Sequence, residues 1–325
     1  MCAYVDKGQV LVQVLPPILI LEFVFGVMGN GLALWIFYHM RPWRSSTVFL
    51  FNLALADFLL NVALPMRAGY YLSGIDWKLG DPLCRVSLFM LAMNRGGSIL
   101  FLTAVAVDRY LRVAYPHHAL NSMTVARAAC AAALLWVVTI ALNVSILAES
   151  KLKVTNDTTT KCESFGDENK YHNVVFFVIF LISLSIIIFC TTHTYAQLRR
   201  RRMDRNARIR RIMRSLTLVT VMFTVCFLPC NITRLLIWLR NAQSTDYESV
   251  ESLEMAFYIT ISLTYLNSML DPALYYFSSP PFQKTLNEMV TNLTQRRRRK
   301  TLQQDQRIEI NGLFTAILDL VHLKI

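Results

Sequence analysis

Seven stretches of about 23 residues are apolar enough to cross a bilayer, and no other feature constrains the fold as tightly. A spanning helix needs about 20 apolar residues to cover about 30 Å of hydrocarbon. The stretches run roughly 15–37, 48–71, 83–107, 125–147, 174–197, 215–238 and 255–277. In lipid every backbone polar group must be satisfied within the protein, so the stretches are expected to be helices. Composition agrees: 54% of residues are hydrophobic and only 17% charged, against about 25% charge in soluble chains. The expected fold is an all-α membrane protein, a seven-transmembrane helix bundle with a short amphipathic helix after the seventh span. Residues 1–14 would precede the bundle, 15–279 form it, 280–293 form the surface helix and 294–325 the tail. A cleavable signal peptide is not expected, because the first apolar run is long enough to span and no small-residue cleavage site follows it.

Orientation follows from Lys and Arg. The connections 39–46, 109–127 and 199–214, with the tail 280–325, hold 22 of the 33 basic residues. By the positive-inside rule that side is cytoplasmic, which leaves the N-terminus outside. The net charge of +12 is therefore read as topology and attraction to anionic membrane lipids. Nucleic acid is not an expected partner, since the run from Arg199 to Arg214 lies between two spans and has no interleaved aromatics. Met289, Val290, Phe282 and Leu286 alternate with polar residues after Pro280, as a surface helix requires. Arg296, Arg297, Arg298, Arg299 and Lys300 follow.

Cys84, at the outer end of the third span, and Cys162, in the second outer loop, both face an oxidising compartment, which favours a disulfide. Cys130, Cys190, Cys226 and Cys230 lie in spans and read as small buried apolar residues. Of the sequons at Asn143, Asn156, Asn231 and Asn292, only Asn156 lies in an outer loop, so it alone is expected to carry glycan. There is no His-x-x-x-His, Gly-x-Ser-x-Gly or Cys-x-x-Cys, so an enzyme is not expected. His117 and His118 read as an inner-loop contact rather than a metal site.

Ionisable groups inside spans cost roughly 2.5–3.5 kcal/mol each on insertion scales, and they mark function by default. Here they are Glu22, Asp57, Arg67, Arg95, Asp108, Arg109, Arg234 and Asp271. Arg95 lies 14 residues, about 21 Å, from Arg109 and 11 residues, about 16 Å, from Cys84, which places it near mid-membrane. Arg67 and Arg234 lie toward the outer ends of the second and sixth spans, so all three guanidiniums can face one upper cavity. Asp57 is the one deep acid set against them. Such an excess of Arg in a low-dielectric cavity calls for an anion, and Arg matches a carboxylate as a bidentate fork. The alternative for Arg95 is an internal pair with Asp57; for Arg67 it is snorkelling to the outer surface. Glu22 could face either a neighbouring helix or the cavity.

Several strings fall in order along the spans: Gly29-Asn30, Leu53-Ala54-Leu55-Ala56-Asp57, Asp108-Arg109-Tyr110, Trp136, Cys226-Phe227-Leu228-Pro229 and Asp271-Pro272-Ala273-Leu274-Tyr275. Together they resemble the rhodopsin class of G-protein-coupled receptors over about residues 15–293. Finer strings are Phe89-Met90-Leu91-Ala92-Met93-Asn94-Arg95, Pro116-His117-His118-Ala119-Leu120, Asn267-Ser268-Met269-Leu270-Asp271-Pro272 and Phe277-Ser278-Ser279-Pro280. These resemble the hydroxycarboxylic acid receptors and the related oxoeicosanoid and hydroxyeicosatetraenoic acid receptors. The resemblance implies that Arg95 grips a ligand carboxylate, with Arg234, Ser164, Phe165 and Tyr265 as further contacts. It also implies that Trp77 packs the first outer loop.

The same resemblance implies a polar network of Asp57, Ser98, Asn267, Ser268 and Asp271. Such a network can hold a sodium ion at Asp57, or Arg95 can stand in its place; no other cofactor is expected. Two carboxylates at one site do not both ionise without a cation. Asp108, Arg109, Tyr110, Phe227, Pro229 and Tyr275 would serve activation and coupling to an inhibitory-class heterotrimeric G protein. Arg109 can pair with Asp108. The inner end of the sixth span, residues 207–214, has no acid, so a lock between Arg109 and a carboxylate there is excluded. The resting state is then expected to rest on packing, with Phe227 above a hinge at Pro229.

Departures from the class are Phe227 where Trp is common, Asp271 where Asn is common, and Ser183 where the fifth span usually has Pro. The extra N-terminal and third-outer-loop cysteines of the hydroxycarboxylic acid receptors are also missing. No Ser follows Ser279, so tail phosphorylation would fall on Thr285, Thr294 or Thr301, and arrestin recruitment is expected to be weak. The function expected is a cell-surface receptor, plasma-membrane and multi-pass, for a hydroxycarboxylic acid or oxidised fatty acid. The alternative is an organic-anion transporter, but repeats and broken helices are missing.

Overall fold

The computed structural model describes residues 7–114, 123–155, 159–162, 170–201, 207–242 and 247–322. Seven long helices make up the first compact unit, which runs to Ser279. They are α1 Lys7–His39, α2 Ser45–Leu72, α3 Gly80–Ala114, α4 Val125–Asn143, α6 Lys170–Arg201, α7 Ala207–Ala242 and α8 Tyr247–Ser278, with the short α5 Ser145–Ala148 after α4. Most overrun the apolar stretch that announces them, because a helix continues past the hydrocarbon until a cap or turn stops it. The fourth stretch is divided: α4 ends at Asn143 and a new turn begins at Ser145.

Local signals account for the ends. Thr124 caps α4, accepting a hydrogen bond from the Arg127 amide at 3.3 Å. α2 ends where Ile75 N–H reaches back to the Tyr70 carbonyl at 3.1 Å, with Gly74 at φ 74°. That left-handed position suits glycine.

Six of the described helices are long and apolar enough to cross a membrane. α8 is as long, but Asn267, Ser268 and Asp271 lower its hydropathy, and all three are buried within the bundle. Helices α4 and α6 turn Leu134, Val137, Leu181 and Ile182 outward, as lipid-facing helices do. Cys130 is exposed on α4, whereas Cys190, Cys226 and Cys230 are buried; the expectation of four buried thiols is corrected at Cys130.

A two-stranded hairpin was not anticipated. β1 Leu152–Thr155 pairs antiparallel with β2 Thr159–Cys162, with Leu152 opposite Cys162. The β-branched residues Val154, Thr155, Thr159 and Thr160 on either side of Asn156-Asp157 are the signal that could have disclosed it. Trp77 N–H donates to the Thr160 carbonyl at 2.7 Å and Thr160 N–H donates to Asp76 Oδ1 at 2.9 Å. Trp77 is itself buried, so it packs the loop between α2 and α3 against the hairpin.

The second unit is the helix α9 Pro280–His322, 43 residues long. The expected short surface helix at 280–293 is therefore extended: the helix runs on through the basic run Arg296–Arg299, which is exposed.

Candidate functional site

The hairpin end of the bundle is closed by a disulfide between Cys84 of α3 and Cys162 of β2. Arg67 lies beneath it. Its Nη1 donates to the Cys162 carbonyl at 2.9 Å and its Nη2 to the Tyr71 hydroxyl at 3.4 Å. Its guanidinium carbon sits 4.9 Å from the Tyr70 ring centre and 5.5 Å from that of Tyr71. Arg67 is 8% exposed, so it turns inward instead of snorkelling.

Deeper in the bundle, Arg95 of α3 and Arg234 of α7 lie within electrostatic range of each other and of Tyr265 on α8. Arg67 reaches the same tyrosine. Four helices thus bring three guanidiniums and one phenol to one region. Arg234 packs over the Phe257 ring at 5.5 Å. The Nε of Arg95 is buried and has no hydrogen-bond partner. Two like charges placed together with a buried orphan donor are costly unless an anion arrives to satisfy them. Glu22 is also buried, with its Oε2 unpartnered. Ser164 and Phe165 lie outside the described residues, as do Asn156, His117 and His118.

Asp57 does not use Arg95 as its partner. Its Oδ1 accepts from Asn94 Nδ2 at 3.0 Å and Ser98 Oγ at 3.4 Å, and its Oδ2 from the Tyr275 hydroxyl at 3.0 Å. Asn94 and Arg95 are neighbours about 100° apart around α3, so one serves the acid and the other the guanidinium pair. The Asp271 carboxyl lies against that of Asp57. Asn267 Nδ2 donates to Asp271 Oδ2 at 2.7 Å, while Asp271 Oδ1 and Asn267 Oδ1 remain without partners. Two adjacent carboxyls with two orphan oxygens are the donor set a proton or a small cation would complete. Ser268 serves the network through its carbonyl, which accepts from Asn30 Nδ2 at 2.8 Å. Tyr275 also donates to Asn30 Oδ1 at 3.2 Å.

At the opposite end, Asp108 pairs with Arg112, at 2.8 and 2.9 Å, not with Arg109. The spacing explains the correction: residues four apart face each other on a helix, and consecutive residues do not. Arg109 Nη2 donates instead to the Ser278 carbonyl at 3.0 Å. Ser278 Oγ in turn meets Ser215 Oγ at 2.5 Å. α3, α8 and α7 are therefore linked by hydrogen bonds as well, where the resting state was expected to rest mainly on packing. Tyr110 packs edge-on against Phe189 and His193 of α6. Phe227 is fully buried beside Phe223, which stacks on Phe180. It sits two residues before Pro229, inside α7.

Asn94, Asn30, Ser215 and Ser278 make interhelical hydrogen bonds that their sequence neighbourhood does not disclose. Asn94 lay beside Arg95 in a quoted string, and its small amide gave no sign of which way it faced. Asn52, which accepts from Trp136 Nε1 at 2.8 Å, was hidden for the same reason.

The chain is similar in sequence to known receptors. Human hydroxycarboxylic acid receptor 3 is 47% identical over 298 residues, 90% of this chain and 77% of that receptor. Hydroxycarboxylic acid receptor 1 of Mus musculus is 48% identical over 283 residues, 86% of this chain and 81% of that receptor. Human oxoeicosanoid receptor 1 is 40% identical over 279 residues, 82% and 70% respectively. All three are receptors, which leaves the transporter alternative without support and points to no catalytic activity. Residues 29–275 match the seven-transmembrane receptors of the rhodopsin family, and the chain therefore belongs to that family of G-protein-coupled receptors, multi-pass proteins of the plasma membrane.

Proposed function

We propose that this receptor is activated by a carboxylate, either a hydroxycarboxylic acid or an oxidised fatty acid, gripped by Arg95 with Arg234 beside it. The observation that carries the reading is the buried, unpartnered Nε of Arg95 next to a second guanidinium. A carboxylate bridging the two would satisfy both forks. Tyr265 supplies a hydroxyl at the same place, and the names of the relatives point to the same ligand class. Ser164 and Phe165 complete the contacts on the resemblance alone.

On this reading the N-terminus is outside, and the receptor signals through an inhibitory-class G protein to lower cyclic AMP. Arrestin engagement is weak, since the tail offers only Thr to kinases. Outward swing of α7 about Pro229 opens the cleft for the G protein. A sodium ion at Asp57 and Asp271 belongs to the resting receptor, and the orphan oxygens of Asp271 and Asn267 support it.

The test is cyclic AMP after forskolin, with short hydroxy acids and hydroxy fatty acids in parallel on wild type and Arg95→Ala. Truncating one partner of a buried charge pair costs about 2–5 kcal/mol, so potency should fall at least about 30-fold. Surface expression should be unchanged and the response sensitive to pertussis toxin. Equal potency in the two proteins would end the carboxylate reading of Arg95.

A further inference from the structure

A groove of about 570 Å³ opens between α6 and α7. Thr191, Tyr195, Ala196 and Arg199 line it from α6, and Met213 and Thr217 from α7. Its volume falls within the roughly 300–1,000 Å³ of small-molecule sites. The other face of α6 carries Phe189 and His193, which pack on Tyr110 of α3. The groove therefore faces outward from the bundle, and Tyr195 is 64% exposed in it. Its walls belong to the spanning segments Val174–Arg199 and Ile209–Arg240. What lies outside those walls is bilayer.

The groove has two unlike ends. At one, Thr191 Oγ1 and Thr220 Oγ1 hydrogen-bond at 2.9 Å and join the helices. At the other, eight residues or about 12 Å away, Arg199 is exposed. Arg210 is exposed as well and precedes Met213 by one turn, on the same face of α7. Two cations thus flank the mouth, where the span meets the headgroups, and Tyr195 stands one turn further in than Arg199. Above them the wall is Ala196 and Met213, with threonine hydroxyls further in.

We infer that the α6–α7 groove binds one anionic glycerophospholipid, its headgroup phosphate between Arg199 and Arg210 and one acyl chain lying along Ala196 and Met213. The charge at the mouth selects a lipid with net negative charge over a zwitterionic one. The depth of the apolar wall inside the span selects a molecule already in the membrane over a cytoplasmic peptide. The basic tail run Arg296–Arg299 adds only diffuse attraction, because a helix surface has no groove to hold a chain.

The test uses the purified full-length receptor with phosphatidylserine or phosphatidylcholine bearing a diazirine in the acyl chain. Uniform nanodiscs present the lipid on both faces, so the result is independent of the orientation proposed above. Phosphatidylserine should label peptides within residues 191–199 and 210–217, and phosphatidylcholine should label them weakly. Arg199→Gln with Arg210→Gln should weaken that labelling about 25-fold, about fivefold for each cation removed near the surface. Ala196→Trp fills the groove without changing charge and should remove the label too. Arg297→Gln with Arg298→Gln removes the same charge from the tail and should leave it in place. Equal labelling by the two lipids, equal loss in the tail and groove pairs, or labelling that survives Ala196→Trp would each overturn the site. A wild-type label mapping elsewhere would overturn it without recourse to any variant.

Discussion

Removing the Ser215 hydroxyl should raise signalling in the absence of ligand. Ser215 and Ser278 are buried, at 1% and 2% exposure, and their hydroxyls meet at 2.5 Å across α7 and α8. A buried neutral hydrogen bond stabilises by about 0.5–1.5 kcal/mol net. The bond exists only while the inner end of α7 lies against α8, so Ser215→Ala takes that amount from the closed arrangement alone. About 1 kcal/mol is about fivefold in the balance between closed and open. Receptors with a minor state at about 0.1–10% have room for such a rise. Ser278→Ala removes the same bond and keeps the carbonyl that accepts from Arg109 at 3.0 Å. It should match Ser215→Ala, and the double variant should show no further rise, because both lose one shared contact. The assay is nucleotide exchange on the G protein in membranes without ligand, normalised to surface receptor. Basal exchange within twofold of wild type in Ser215→Ala, or effects that multiply in the double variant, would refute the reasoning.

Three further outcomes follow from the geometry. Thermal stability of the wild type should rise when sodium replaces choline, and Asp57→Asn should lose that rise; an equal rise in both would remove sodium from the site. Gly29→Ala should lower the melting temperature and surface expression, since its Cβ would meet Pro272 Cγ at 2.7 Å and overpacking costs typically 1–3 kcal/mol; a melt equal to wild type would show that α1 and α8 can part. Arg67→Ala should lower the melting temperature by several degrees, since it breaks a charged hydrogen bond worth about 1.5–3 kcal/mol to the Cys162 carbonyl. A loss of ligand potency in Arg67→Ala with an unchanged melt would instead make Arg67 a ligand contact alone.

The spans were legible because bilayer thickness sets a length that hydropathy displays directly. Orientation around each helix axis was not. Arg95 was expected to choose between a ligand and Asp57, yet its neighbour Asn94 took the acid at 3.0 Å. Nothing in the string Met93-Asn94-Arg95 records which residue faces α2. Arg109 and Asp108 were matched because they are adjacent in sequence; helix geometry gave Asp108 to Arg112 at 2.8 Å. The Ser215–Ser278 contact joins residues 63 apart through two common side chains, and such a contact leaves no sequence pattern. Cys84 and Cys162, joined as a disulfide, were readable because the distribution of Lys and Arg predicts both on one, oxidising side of the membrane.

The distribution of polar contacts identifies the part that can move. α1, α2, α3 and α8 are bound through one connected set: Asn30 to the Ser268 carbonyl, Tyr275 to Asn30 and Asp57, and Asn94 and Ser98 to Asp57. Each member has a partner on another helix, so displacing any of those four helices exposes several buried groups at once. α7 stands outside that set. Among its side-chain contacts with neighbouring helices are three hydroxyl pairs: Ser215 with Ser278, Thr233 with Thr260 at 3.0 Å, and Thr220 with Thr191. Each is neutral and worth about 1 kcal/mol, and Pro229 has already removed one backbone bond from the helix. Arg234 lies on this same helix, five residues past the proline. On the reading proposed above, an anion drawn between Arg234 and Arg95 would pull α7 toward α3, a helix that belongs to the connected set. The Ser215–Ser278 hydrogen bond is one neutral contact of about 1 kcal/mol, less than one charged hydrogen bond supplies. On that reading, coupling across the membrane would run through α7 itself, with its hinge at Pro229 between the Arg234 contact and the Ser215 contact.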